Sequence, residues 1–345
     1  MKRIPLLKRA VLSAALVAGA VLGVAQTAQT AQTAQTAQTA QAEPIRVGYW
    51  TSGVSLGFGA VLEAQKFLQQ RGLDVQFVRF ADVNAPNRAL AANAIDFAFA
   101  APAAAVFSTA AEGVPLKIVL ATQPADVDFV VPDDSPIKTL AELRGKKVGM
   151  SPAGSSVAAI ATAVLQGNDG IKSGDFSLVP GNEGRLAQFL VQKQVDAAAL
   201  RSVTIAQLQE LKVRRLGSFG DQWKKLTKSD ATPYIGVSAI RADYLEKHPQ
   251  DVAKLIAGLR TALQWGATHQ NDVAAILQKS ANLPANDAQA YAARWSDINR
   301  VTFEPIDLDT LKREHQIFVD GGVIKGKLPD DLFATGPYIA SKSIQ

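Results

Sequence analysis

Apolar runs alternate with amphipathic stretches from residue 45 to about residue 240. Ten short runs rich in apolar and β-branched residues predict strands, at 45–50, 75–80, 95–100, 116–121, 128–131, 146–150, 176–179, 195–200, 214–219 and 233–238. A helix is predicted over 57–71, where Phe58, Val61, Leu62 and Leu68 share a face and Gly72 suits the C-terminal cap. Another is predicted over about 156–166, where Val157, Ile160, Ala161, Val164 and Leu165 follow the i, i+3, i+4, i+7, i+8 rule. Thr139 and Glu142 have the spacing of a capping box that opens a short helix ending at Gly145. Such alternation predicts an α/β fold, with parallel-rich sheets flanked by helices. After about residue 240 the pattern becomes helical. His248-Pro249 opens a helix whose apolar face is Val252, Leu255, Ile256, Leu259 and Leu263, and more helices follow near 271–279, 285–298 and 307–320. This tail has too few strands for a third α/β unit, so it is expected to pack onto the others.

The α/β part repeats itself. Val47-Gly48 and Gly53 recur as Val148-Gly149 and Gly154, at an offset of 101 residues. The strand at 75–78 recurs at 176–179 with the same offset. Leu90, Ile95-Asp96 and Ala98 recur as Leu190, Val195-Asp196 and Ala198 at an offset of 100. Three matches in one order at nearly one offset predict two similar lobes. Ligands of such sheets bind outside the carboxyl ends of the strands, so facing lobes place those ends across a shared cleft.

Composition narrows the function classes. The 345 residues are 48% hydrophobic and 19% charged, outside the range of a disordered chain. There are 36 basic and 31 acidic residues, but Lys2, Arg3, Lys8 and Arg9 fall within the first 42 positions, where there is no acid. The remainder is nearly neutral and lacks the footprint of a nucleic-acid binder. No cysteine is present, which removes disulfides, thiolate metal sites and cysteine nucleophiles.

The same four basic residues precede an apolar run from Ala10 to Ala25, the layout of a secretory signal peptide. Cleavage is expected after Ala25, or as late as Ala42. Residues 26–42 hold Gln-Thr-Ala repeated five times and read as an unfolded linker. Without a cysteine no lipid anchor is expected, and the destination is the periplasm.

The run from Val130-Val131-Pro132-Asp133-Asp134-Ser135-Pro136 through Leu143-Arg144-Gly145-Lys146-Lys147-Val148-Gly149 closely resembles periplasmic solute-binding proteins of ABC importers, in the branch that includes aliphatic sulfonate, taurine and nitrate binders. Ile95-Asp96-Phe97-Ala98 resembles that family's third strand, and Tyr244 to Pro249 its segment after the second hinge crossing. The resemblance covers roughly residues 44–320. It implies the two-lobed type II periplasmic-binding-protein fold with a hinge of two crossing strands, placed near 128–132 and 232–238. Lobe 1 is then 43–130 with 233–345, and lobe 2 is 131–232. The implied partners are a small anionic solute and an inner-membrane permease with a cytoplasmic ATPase; the implied state is a monomer without cofactor or metal.

Enzyme signatures are missing: no Walker loop, no HExxH and no Gly-x-Ser-x-Gly. The three histidines, 248, 269 and 315, all lie in the helical tail at spacings that fit no metal site. Gly154-Ser155-Ser156, between a strand and a helix start, is the best candidate for anion contacts, because free N–H groups and the positive helix end meet there; the same serines also suit an N-cap. Arg201 ends a mostly apolar strand, where a guanidinium can hold an anion through two parallel hydrogen bonds. Trp50 ends the first strand ahead of Thr51 and Ser52, and Asn87 can offer an amide or a cap. Ala101 and Pro102 are expected to leave room and expose backbone. Tyr234, at the hinge return, reads as either a lid or a hinge packing residue. Two departures from sulfonate binders, Val157-Ala158-Ala159 after the serines and Ser202-Val203 after Arg201, point to another ligand. A periplasmic dehydratase-like enzyme, with Glu183 its only nearby carboxylate, and a ligand-sensing subunit are the alternatives on this fold.

Overall fold

The structure, a computed structural model, describes residues 44–208 and 211–344. The expected signal peptide and the whole of the linker lie outside the described residues. All ten predicted runs are strands: β1 Ile45–Trp50, β2 Val75–Phe80, β3 Phe97–Pro102, β4 Leu116–Pro124, β5 Val127–Pro132, β6 Lys147–Met150, β7 Ser177–Pro180, β8 Ala197–Arg201, β9 Val213–Ser218 and β10 Tyr234–Arg241. The helices before β10 are α1 Gly53–Gln65, α2 Ala85–Ala91, α3 Ala103–Ala111, α4 Ser156–Asp169, α5 Glu183–Val191, α6 Ser202–Ala206 and α7 Phe219–Thr227. After it come α8 Ala242–Lys247, α9 Pro249–Thr268, α10 Gln270–Ala281, α11 Ala285–Ala293, α12 Trp295–Ile298, α13 Pro305–Asp320 and α14 Gly336–Ser341.

The strands form two five-stranded mixed sheets, ordered β2-β1-β3-β10-β4 and β7-β6-β8-β5-β9. Their registers repeat. Val47 and Gly48 face Phe97 and Ala98, as Val148 and Gly149 face Ala197 and Ala198. The aspartates of the repeat explain its persistence. Asp96 accepts the backbone N–H of Arg46 at 2.9 Å, and Asp196 that of Lys147 at 2.8 Å. Ahead of each, Asn93 and Lys193 take left-handed φ values of 58° and 54°. Each closes its helix through an N–H bond of 3.1 Å, to Leu90 and Leu190 respectively. A helix stop, a reversal and an aspartate tied to the neighbouring strand start thus occur twice.

Three details differ from the sequence expectation. Helix α1 starts at Gly53 and stops at Gln65, because Lys66 turns left-handed (φ 55°); a separate 3-10 turn, Gln69–Arg71, ends at Gly72. The first hinge crossing lies at Ala125–Asp126, before the expected 128–132, and β5 belongs wholly to the second sheet. The two crossing segments meet there, with Ala125 N–H donating to Pro233 O at 2.8 Å. Lobe 1 therefore gives way to lobe 2 before residue 127 rather than after 130. The helix expected over 285–298 breaks into α11 and α12. The capping box forms as expected at the 3-10 turn Leu140–Leu143.

The tail packs on the first sheet's helices. Phe58 of α1 stacks between Phe99 at 4.8 Å and Trp295 at 5.1 Å, ring centroid to centroid. Gly57 leaves the notch for Tyr291, whose Cζ would stand 2.3 Å from an added Cβ. The Tyr291 hydroxyl donates to Val54 O, which fixes α11 against the start of α1.

Candidate functional site

The carboxyl ends of β1 and β8 bring together Trp50 from lobe 1 and Arg201 from lobe 2. The Trp50 ring is oriented by its Nε1–H, which donates to Ala81 O at 3.2 Å. Over it lies the Arg201 guanidinium, 5.1 Å from the ring centroid. Such a stack is favoured by the ring quadrupole and strengthened when water is excluded. Gly53, at φ 54°, makes room for it: a Cβ there would stand 3.1 Å from Trp50 Cζ3 and 3.3 Å from Arg201 Cδ.

Arg201 is not a free cation. Its Nη1 is bonded to Glu183 Oε1, and both side chains are 5% exposed. Glu183 opens α5 behind Asn182, whose side chain caps that helix. The other carboxylate oxygen accepts the Arg201 backbone N–H at 3.3 Å and the Thr204 hydroxyl at 2.5 Å. Arg201 Nε alone is buried without a partner. A charge pair this buried persists only when its remaining groups are hydrogen-bonded, as Glu183 is on both oxygens. Arg201, where an anion is expected from the sequence, is thus already paired with a carboxylate. Sequence reasoning placed Arg201 at the cleft but left Glu183 and Thr204 off the candidate set. The available signal was a carboxylate in the first turn of the helix that follows a strand end.

Two further bonds cross the cleft. Asn84 Nδ2 donates to Ala153 O at 3.2 Å, and Ala104 N–H donates to Ser156 Oγ at 3.1 Å. Three cavities border these contacts. One of about 190 Å³ is lined by Ser52, Gly53, Glu183, Val203, Thr204 and Tyr291. A second, about 320 Å³, lies beside Trp50, Asp82, Pro152, Asn182 and Arg185. The third, about 210 Å³, is edged by Ala104, Gly154, Ala158, Thr162 and Gly322.

The other expected site residues separate into cleft and scaffold. Ser52 lines the smallest cavity and makes no side-chain cap to α1. Gly154 borders the third at φ 82°. The two serines do different work: Ser155 Oγ accepts the Ala158 N–H and caps α4, while Ser156 Oγ takes a donor from lobe 1. Thr51 is anchored away, its N–H and hydroxyl both donating to Phe80 O at 2.9 and 3.0 Å. Asn87 gives its amide hydrogens to Ala105 O and Thr109 Oγ1 within lobe 1, which corrects its expected role as a donor to ligand. Ala101 and Pro102 do not expose backbone. They are buried and paired with Val237 and Gly236, because β3 runs two residues further than predicted, past a left-handed Ala100 at φ 52°. Tyr234 is a hinge packing residue rather than a lid. Its N–H donates to Glu314 Oε1 at 2.7 Å and its hydroxyl to Asp307 Oδ1 at 2.6 Å. Burial and the Asp307 carboxylate push that hydroxyl's pKa far above its usual value. Among the described residues no group of three His, Asp or Glu side chains is arranged to hold a metal ion.

Comparison with known proteins places this geometry. A Brucella abortus (strain 2308) chain named as a putative binding protein is 22% identical over 307 residues, covering 87% of this chain and 92% of its own. The alkanesulfonate-binding protein SsuA of Xanthomonas axonopodis pv. citri, solved with MOPS bound, superposes with a TM-score of 0.70 at 18% identity, over 83% of this chain and 95% of its own. The desulfurization enzyme DSZB shares the fold with a TM-score of 0.60 at 14% identity, over 87% of this chain and 100% of its own. The two-lobed periplasmic-binding-protein fold expected from the sequence is therefore the fold observed. The NMT1/THI5-like family profile matches residues 59–273, well over half of the chain, and the protein belongs to that family.

Proposed function

We propose that this chain is the periplasmic solute-binding component of an ABC-type importer, capturing a small solute between its lobes and presenting it to an inner-membrane permease served by a cytoplasmic ATPase. One observation carries the reading. The repeated sheets turn their carboxyl ends toward each other, and Trp50 of one lobe meets Arg201 of the other across a cleft spanned by two hinge segments. A ligand touching both lobes stabilises the closed arrangement, which is the hinge-closure form of population shift. The Brucella relative and SsuA support the same reading by name, and the basic then apolar N-terminal segment supports export.

DSZB supplies the rival reading, an enzyme on the same fold. The cleft favours binding, because Glu183 is committed to Arg201 and Thr204. A general acid or base needs a carboxyl within reach of the substrate proton. Protein purified from periplasmic extract, denatured and analysed by mass spectrometry, should release a small molecule. Returned to fresh protein, that molecule should bind and be recovered unchanged. Recovery of a transformed product would establish the enzyme instead.

A further inference from the structure

We infer that Glu183 sets the charge selectivity of the cleft, cancelling Arg201 from within so that the site takes an uncharged solute rather than an anion; the inference rests on the solute-binding reading above. Arg201 and Glu183 are equally buried, and they touch through Nη1 and Oε1. An anion approaching the guanidinium meets the Glu183 carboxylate already on it. With water excluded, repulsion between the two negative groups is poorly screened. The adjacent charge is balanced as well: Asp126 is held by Ser202 Oγ and by Arg294 Nη2 at 3.2 Å.

What remains open is chemistry for a neutral molecule. Arg201 Nε has no partner and is itself buried. Trp50 lies under the guanidinium. The cavity of about 190 Å³ beside Glu183 is walled by Val203 and Tyr291 and lined by Ser52 and by Thr204, whose hydroxyl donates to Glu183. That set suits a small uncharged solute held beside the neutralised Glu183–Arg201 pair. Glu183 is a specificity-determining residue here, since its charge decides what Arg201 can hold.

The test uses Glu183→Gln, which keeps the side chain's length and an acceptor oxygen but removes the charge. Parent, Glu183→Gln, Arg201→Gln and Glu183→Gln/Arg201→Gln proteins are titrated calorimetrically with sulfate, nitrate and ethanesulfonate at fixed ionic strength. The parent should bind none of the three measurably at millimolar concentration. Glu183→Gln should bind at least one of them at least tenfold more tightly than the parent, and the double variant should lose that gain. Parent binding of any of the three that disappears in Arg201→Gln overturns the inference, as does a folded Glu183→Gln protein with no gain. If circular dichroism shows Glu183→Gln unfolded, the charge of the molecule released from the purified parent decides: uncharged at pH 7 supports the inference and anionic overturns it. An anionic ligand leaves the solute-binding reading intact, whereas a parent that neither releases nor binds any solute fails that reading itself.

Discussion

The Arg201 guanidinium and the Trp50 indole, from opposite lobes, stack at 5.1 Å and close the cleft around Gly53. Trp50→Ala removes a partly desolvated cation–π contact worth about 0.5–2 kcal/mol. It should shift the lobes toward the open form, seen as a larger radius of gyration in small-angle X-ray scattering. Trp50→Phe should fall between. Gly53→Ala should act in the same direction, because its Cβ enters the stack and φ 54° disfavours a side chain. Unchanged scattering in all three variants would show that the stack does not hold the lobes.

The adjacent serines should respond differently. Ser155→Ala deletes the α4 cap and should cost about 0.5–2 kcal/mol of stability. Ser156→Ala deletes the acceptor of Ala104 N–H, a bond between lobes, and should weaken closure by about 0.5–1.5 kcal/mol. Denaturant melts and scattering separate the two effects. Equal behaviour in both measurements contradicts the assignment.

The paired aspartates share a backbone role but not an environment. Asp96 is buried and also holds the side chains of Arg46 and Arg241, with Arg46 Nη2 at 2.7 Å. Asp196 is exposed. Asp96→Ala should cost about 1.5–3 kcal/mol, as for bonds to charged groups, and Asp196→Ala about 0.5–1.5 kcal/mol. The comparison is read from urea midpoints at constant m-value.

The strands and the internal repeat were legible because apolar runs, glycines and the two aspartates lie close together in sequence. The first hinge crossing was misplaced because β4 and β5 are both apolar and only Ala125–Asp126 separates Pro124 from Val127; periodicity has no signal for a strand changing sheets. Of the site, Trp50 and Arg201 were legible as polar or aromatic endings of apolar strands. Their contact was not, nor was the pairing of Glu183 with Arg201, since partners 151 and 18 residues away from Arg201 are set by lobe closure and by the turn before α5. The roles of Asn87 and Tyr234 stayed open in the sequence because a polar side chain looks the same whether it faces the cleft or a neighbouring helix.

Glu314 predicts a pH effect at the hinge. It is fully buried on α13 beside His315, accepts Tyr234 N–H through Oε1, and has no partner on Oε2. Burial raises its pKa well above 4.5, and the Tyr234 N–H opposes this only in part. Above pH 4.5 the folded protein keeps a proton that the unfolded chain has lost, so this residue's contribution to stability falls as pH rises toward the folded value. Glu314→Gln is neutral in both states. The stability of Glu314→Gln relative to the parent should therefore increase with pH from about pH 4.5 upward, and taking the difference cancels the titration of His315. Thermal melts from pH 4 to 8 check it; a gap independent of pH contradicts it.

The claim that a solute binds between the lobes is tested most directly by the melting midpoint of the parent and of Trp50→Ala across a library of small polar solutes. At least one solute should raise the parent's midpoint saturably, by the equivalent of about 2.7 kcal/mol at 100 times its dissociation constant. The same solute should give a much smaller shift in Trp50→Ala. A library with no saturable shift, or a shift equal in the two proteins, contradicts the account.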